Sequence, residues 1–80
     1  MASKFTMGQF VTLDKKEGMQ EEDLYLHGLG FKLPLENRIM TFLAEHPDMK
    51  GRCMLADNET GRIITDVPEL LFRLAKEEEI

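Results

Sequence analysis

Pro34-Leu35-Glu36-Asn37-Arg38-Ile39-Met40-Thr41-Phe42-Leu43-Ala44-Glu45-His46 is the stretch on which the reading of the fold turns. Leu35, Ile39, Phe42 and Leu43 stand at helical spacing, and Met40 and Ala44 widen the stripe. Glu36, Asn37, Arg38, Thr41 and Glu45 cover the other side. Pro34 suits a first helical turn, where its missing N–H is not needed. Pro47 closes the segment, because the residue before a proline is pushed out of the helical region. The spacing predicts an amphipathic helix over residues 34–46. It has no polar N-cap, since Lys32 and Leu33 precede it, so another group must satisfy its first N–H donors.

Working downstream, residues 51–66 read as a β-hairpin. Cys53-Met54-Leu55-Ala56 is one arm and Arg62-Ile63-Ile64-Thr65 the other. Asp57-Asn58-Glu59-Thr60-Gly61 between them is turn chemistry: Asp and Asn bond their own backbone, and Gly61 can take the positive φ that closes a bulged turn. Cys53 and Leu55 share one face, Met54 and Ala56 the other. A second helix is predicted over about 67–78. Asp66 is its N-cap, Pro68 lies in its first turn and Glu69 completes a capping box. Val67, Leu70, Leu71, Leu74 and Ala75 form its apolar stripe, with Phe72 at the flank. Glu77-Glu78-Glu79 opposes the helix dipole and predicts fraying.

Working upstream, Gln9-Phe10-Val11-Thr12-Leu13-Asp14 reads as a short strand. Residues 15–18 read as a turn or loop. Residues 19–27 favour a short helix with acids at its front and Gly28 as a left-handed C-cap. A strand at residues 24–27 is the competing reading. The expected class is therefore α+β. A small antiparallel sheet, made of the N-terminal strand and the C-terminal hairpin, carries two or three helices on one face in a single domain, residues 1–80. The first strand is expected to pair with one arm of the hairpin.

Composition bounds the function classes. A chain of 80 residues buries only about 60% of its unfolded surface, and one Cys makes no internal disulfide. Burial against a protein partner or a second copy is a natural source of added stability. No apolar run approaches the roughly 20 residues of a membrane span. The start, Met1-Ala2-Ser3-Lys4-Phe5, lacks a secretory signal's apolar stretch, and a lone Cys53 suits a reducing compartment, so a cytoplasmic location is expected. The net charge of −5 opposes phosphate, so nucleic acid is a disfavoured partner.

The chemistry-bearing residues are few. His27, His46 and Cys53 do not stand at metal-ligand spacing. Cys53 with a histidine base could form a nucleophile pair, but it reads better as a small buried hydrophobe. Gly28-Leu29-Gly30 is no phosphate loop, and residues 57–61 lack the ligand ladder of a calcium loop. The sequence thus predicts no enzyme, no metal and no cofactor. It predicts a protein-interaction module, a small accessory, regulatory or inhibitory subunit. Its contact face would be Met54, Ala56 and Ile64 on an uncovered side of the hairpin, joined by Phe72 and Arg73. The six Met residues add adaptable apolar surface, or fill the core.

The succession of helix 34–46, hairpin 51–66 and helix 67–78 resembles a winged-helix arrangement. The alternative reading is accordingly a nucleic-acid-associated regulator. In it, Arg52 and Arg62 contact phosphate, or the acidic clusters at 17–23 and 77–79 mimic nucleic acid. No functional residue is carried over from the resemblance.

Overall fold

The computed structural model of the chain describes residues 4–14, 26–31 and 38–80. It is built mostly of strands, which overturns the expected α+β sandwich of sheet and helices. The strands are β1 (Phe10–Leu13), β2 (Met40–Glu45), β3 (Arg52–Asp57), β4 (Ile63–Pro68) and β5 (Phe72–Leu74). They form one antiparallel sheet in the order β4-β3-β2-β1-β5.

The predicted helix over 34–46 is the first correction. Residues 34–37 lie outside the described residues, and Met40–Glu45 is a strand at the centre of the sheet. The same apolar residues obey two periods: Leu35, Ile39, Phe42 and Leu43 fit 3.6, while Met40 and Phe42 fit 2 up to the register shift that follows Phe42. Neighbours decide between them. β2 pairs with β1 through Phe10↔Thr41 and Val11↔Met40, and with β3 through Thr41↔Ala56 and Phe42↔Leu55. A helix here would leave both flanking strands with unpaired backbone groups. Met40 and Phe42 are buried in the core, as strand alternation requires.

The predicted helix over 67–78 is the second. Val67 and Pro68 end β4, Glu69–Leu71 is a single 3₁₀ turn, β5 follows, and Glu77–Glu79 is another 3₁₀ turn. Asp66 lies within β4 and caps no helix. Of the expected stripe only Val67 is fully buried, and Leu70 is 75% exposed. Proline is tolerated at a strand's end, where no ladder donor is lost. With these two helices gone, the winged-helix resemblance goes too. The first strand also pairs with β2 and β5, not with an arm of the β3–β4 hairpin.

The sheet has to curl. In a flat five-stranded sheet the outer strands lie about 19 Å apart. Here the outer strands are β4 and β5, joined by three residues, and the chain from Pro68 to Phe72 reaches at most about 15 Å. Both strands run the same way, each antiparallel to its partner, so the chain finishes pairing with β3, steps across the 3₁₀ turn and begins pairing with β1. Register shifts opposite β3, between Phe42 and Ala44 and between Cys53 and Leu55, supply the bends. The result is an open barrel whose interior holds Val11, Met40, Leu55, Val67 and Phe72.

Residues 26–28 are helical, and the remainder of the helix expected over 19–27 lies outside the described residues. The segment ends in a Schellman pattern. Phe31 N donates to Leu26 O (3.3 Å) and Gly30 N to His27 O (3.0 Å). Gly30, at φ +103°, takes the left-handed position that the sequence suggested for Gly28. Leu26 and Phe31, which flank this cap, are both buried in the barrel core.

Candidate protein-contact face

The strand registers set a row of side chains across the outside of the barrel. Phe10 pairs with Thr41, Thr41 with Ala56 and Ala56 with Ile63, spanning β1, β2, β3 and β4. Cross-strand partners share a face, and this face is opposite to the one carrying Phe42, Leu55 and Ile64. Ile63 is 61% exposed and Phe10 40% exposed. Thr41 and Ala56 between them are half-buried, as is Met54, two residues from Ala56 on the same side of β3.

The expected contact residues divide accordingly. Met54 and Ala56 do lie on the outer face. Ile64 is 5% exposed and packs inside opposite Leu55, so its neighbour Ile63 occupies the outer position. Phe72 is fully buried, its ring 6.0 Å from that of Phe31, and offers no surface. Arg73 is half-buried and donates to both carboxylate oxygens of Glu79, at 2.8 and 2.9 Å. The structure therefore does not bring the five together. The missed residues, Ile63 and Phe10, were within reach of parity. Asp57 N donates to Arg62 O, and this closure of the turn sets Ile63 opposite Ala56. Phe10 sits one step out of phase with Val11 and Leu13, which are buried.

Several charged groups elsewhere among the described residues are paired. Arg38, with its side chain 8% exposed, reaches Asp57 Oδ2 at 3.3 Å and Glu59 Oε2 at 3.1 Å, and the Asp57 side chain is 3% exposed. Asp57 Oδ1 also accepts Glu59 N, and Thr12 Oγ1 donates to Arg38 O, tying the turn to β1. Of the two arginines considered for phosphate, Arg52 Nε lies 3.7 Å from Asp66 Oδ1. Arg62 lies over Gly30, where a Cβ would meet its Nη2 at 3.4 Å. The acidic stretch 17–23 lies outside the described residues, while Glu79 of the stretch 77–79 is held by Arg73.

Cys53 is fully buried in β3, and its thiol is pushed up to about 12, first by burial, then by Glu69, with Lys4 acting in the opposite sense. At neutral pH it is a protonated, enclosed thiol, a poor nucleophile. Among the described residues no three of His, Cys, Asp and Glu are grouped so as to hold a metal ion. A polar cleft of about 330 Å³ opens between the β2–β3 loop and Glu69, lined by His46, Asp48, Lys50 and Arg52 among others. No helix of the described residues is long and apolar enough to cross a membrane. Comparison with known protein families, with curated proteins and with solved structures finds no match.

Proposed function

We propose that the chain is a non-catalytic docking module, a small accessory, regulatory or inhibitory subunit that binds a larger protein through the outer face of β1 to β4. The observation that carries this reading is the cross-strand row from Phe10 to Ile63, with two large apolar side chains open at its ends and half-buried Thr41 and Ala56 between them. Aromatic and aliphatic side chains on a rigid sheet give contact area at small entropic cost. Met54 adds an adaptable apolar group beside the row. The net charge of −5 favours a partner whose contact site is apolar at its centre and basic at its rim. A cytoplasmic location belongs to the same proposal.

The test is affinity capture of the tagged chain from its source lysate beside Phe10→Asp, Ile63→Asp and Met49→Asp variants, read by mass spectrometry. Met49 is exposed in the β2–β3 loop, at the far end of β2 and β3 from the row, and serves as the control. One stoichiometric protein lost in the two row variants and kept in Met49→Asp supports the reading. Equal capture by all three, or recovery of nucleic acid or a second copy alone, refutes it.

A further inference from the structure

The loop between β2 and β3 is built on an imidazole. His46 Nδ1 accepts the backbone N–H groups of Asp48 and of Met49, each at 3.1 Å. A side chain accepting from the second and third residues after it is how Asp, Asn and Ser cap a turn. Histidine can do this only through an unprotonated nitrogen, so the neutral ring keeps its hydrogen on Nε2. Around this cap the loop is closed by His46 N to Arg52 O (3.0 Å) and Arg52 N to Met49 O (3.3 Å). Gly51, at φ +78°, then presents its carbonyl to Glu69 N at 3.0 Å, and Glu69 Oε1 accepts Lys4 N at 2.9 Å. The loop, the 3₁₀ turn and the N-terminal arm are thus joined in series, and the Nδ1 lone pair holds the first of them in shape.

We infer that the β2–β3 loop is a pH-sensitive latch, closed while His46 is neutral and released when Nδ1 takes up a proton. The neutral ring has one lone pair, on Nδ1, so a second proton can add only there. Protonation turns the acceptor into a donor that faces two backbone donors. Both hydrogen bonds are lost, and the loop loses the cap that holds it. The charged groups that line the cleft with His46 are Glu45 from β2, Asp48 and Lys50 from the loop, Arg52 from β3 and Glu69 from the 3₁₀ turn. Three carboxylates can receive the imidazolium. Of the two cations, Arg52 is drawn to Asp66. Among side chains, the imidazole is the one whose charge changes nearest to neutral pH. Its output is the Gly51–Glu69 contact, through which loop release loosens the hold on the 3₁₀ turn.

The experiment is two-dimensional NMR of the full chain from pH 8 to pH 5, following the His46 ring protons together with the Asp48, Met49 and Glu69 amides. The expected result is a common midpoint for all four, with hydrogen exchange at Asp48 and Met49 rising above its intrinsic pH dependence as the pH falls. His27 is exposed and supplies an internal reference. A His46→Asn variant keeps an acceptor for the same two amides but does not titrate. It should hold the loop closed across the whole range. The inference is overturned if the Asp48 and Met49 amides ignore the His46 midpoint, or if His46→Asn responds to pH as the native chain does.

Discussion

Two neighbouring rows of side chains cross β2, β3 and β4 one residue out of step. Phe42, Leu55 and Ile64 form one, and Thr41, Ala56 and Ile63 the other. The first row is buried throughout, while the second faces outward and ends on an open isoleucine. Composition cannot separate Ile63 from Ile64, which are adjacent and identical. Pleating does, because each step along a strand turns the side chain to the other face. Stability rests on the first row and the proposed contact on the second, alternate residues of the same strands, so each can be disturbed alone.

The largest expected effect tests that separation with one chemical change at two positions. Ile64→Ala should destabilise by about 3 kcal/mol through lost burial and a residual cavity. In a domain of this size that lowers the melting temperature by more than about 10 °C. Ile63→Ala should stay within about 0.5 kcal/mol of the native chain, as surface substitutions do. Calorimetry of the two variants side by side decides it, and equal losses would break the comparison. Next in size is Asp57→Ala, on the inner side of β3. It strips Arg38 of one of the two carboxylates that reach it among the described residues and leaves Glu59. The expected loss is about 2 kcal/mol, below what removing the whole counter-charge costs.

What the sequence made legible was what short-range chemistry decides. The turn over residues 57–61 forms as read: Gly61 stands at φ +78° and donates to Asp57 O at 2.7 Å. The first strand and the shared face of Cys53 and Leu55 follow from composition and alternation in the same way. The helix over 34–46 failed because its segment carries both periods, and in both segments the choice was made far along the chain. β2 is held by β1, about thirty residues before it, and β5 by β1, about sixty residues away. Single-segment periodicity contains no record of such partners. The Arg38–Asp57 pair was hidden for a related reason, since charged residues are expected outside and these lie almost wholly inside. On the hairpin, the outward facing of Met54 and Ala56 was legible from alternation, and Ile64 was misplaced by one step of register across the turn.

An effect confined to alkaline pH sits beside Leu55. The enclosed Cys53 thiol, raised from 9.0 to about 12, ionises more readily in the unfolded chain than in the folded one. Its contribution is whole below about pH 9 and is lost as the pH climbs from 9 toward 12. Denaturation midpoints should fall over that interval in the native chain and fall less in Cys53→Ala. At pH 8 a disulfide reagent should label Cys53 only as fast as the barrel opens, and fully in guanidinium. Rapid labelling of the native chain would place β3's inner face within reach of solvent.

The smallest effect belongs to a pair outside both rows. Arg73 on β5 grips Glu79 with two hydrogen bonds, and Lys76 N adds a third at 2.7 Å. The Arg73 bond first, and the Lys76 amide second, bring the Glu79 carboxyl down from 4.5 to about 2. A lowered folded-state value means stability that is complete above pH 4.5 and drains away as the pH falls from 4.5 to 2. The pair is solvated, unlike Arg38–Asp57, so the change should be slight. Carbon-detected NMR should place the Glu79 midpoint near 2 in the native chain and closer to 4.5 in Arg73→Gln. In Glu79→Gln the acid limb of the stability curve should be shallower over the same interval. A Glu79 midpoint that stays put in Arg73→Gln would assign the lowering to the Lys76 amide. The C-terminal 3₁₀ turn would then hold its own carboxylate without help from the barrel.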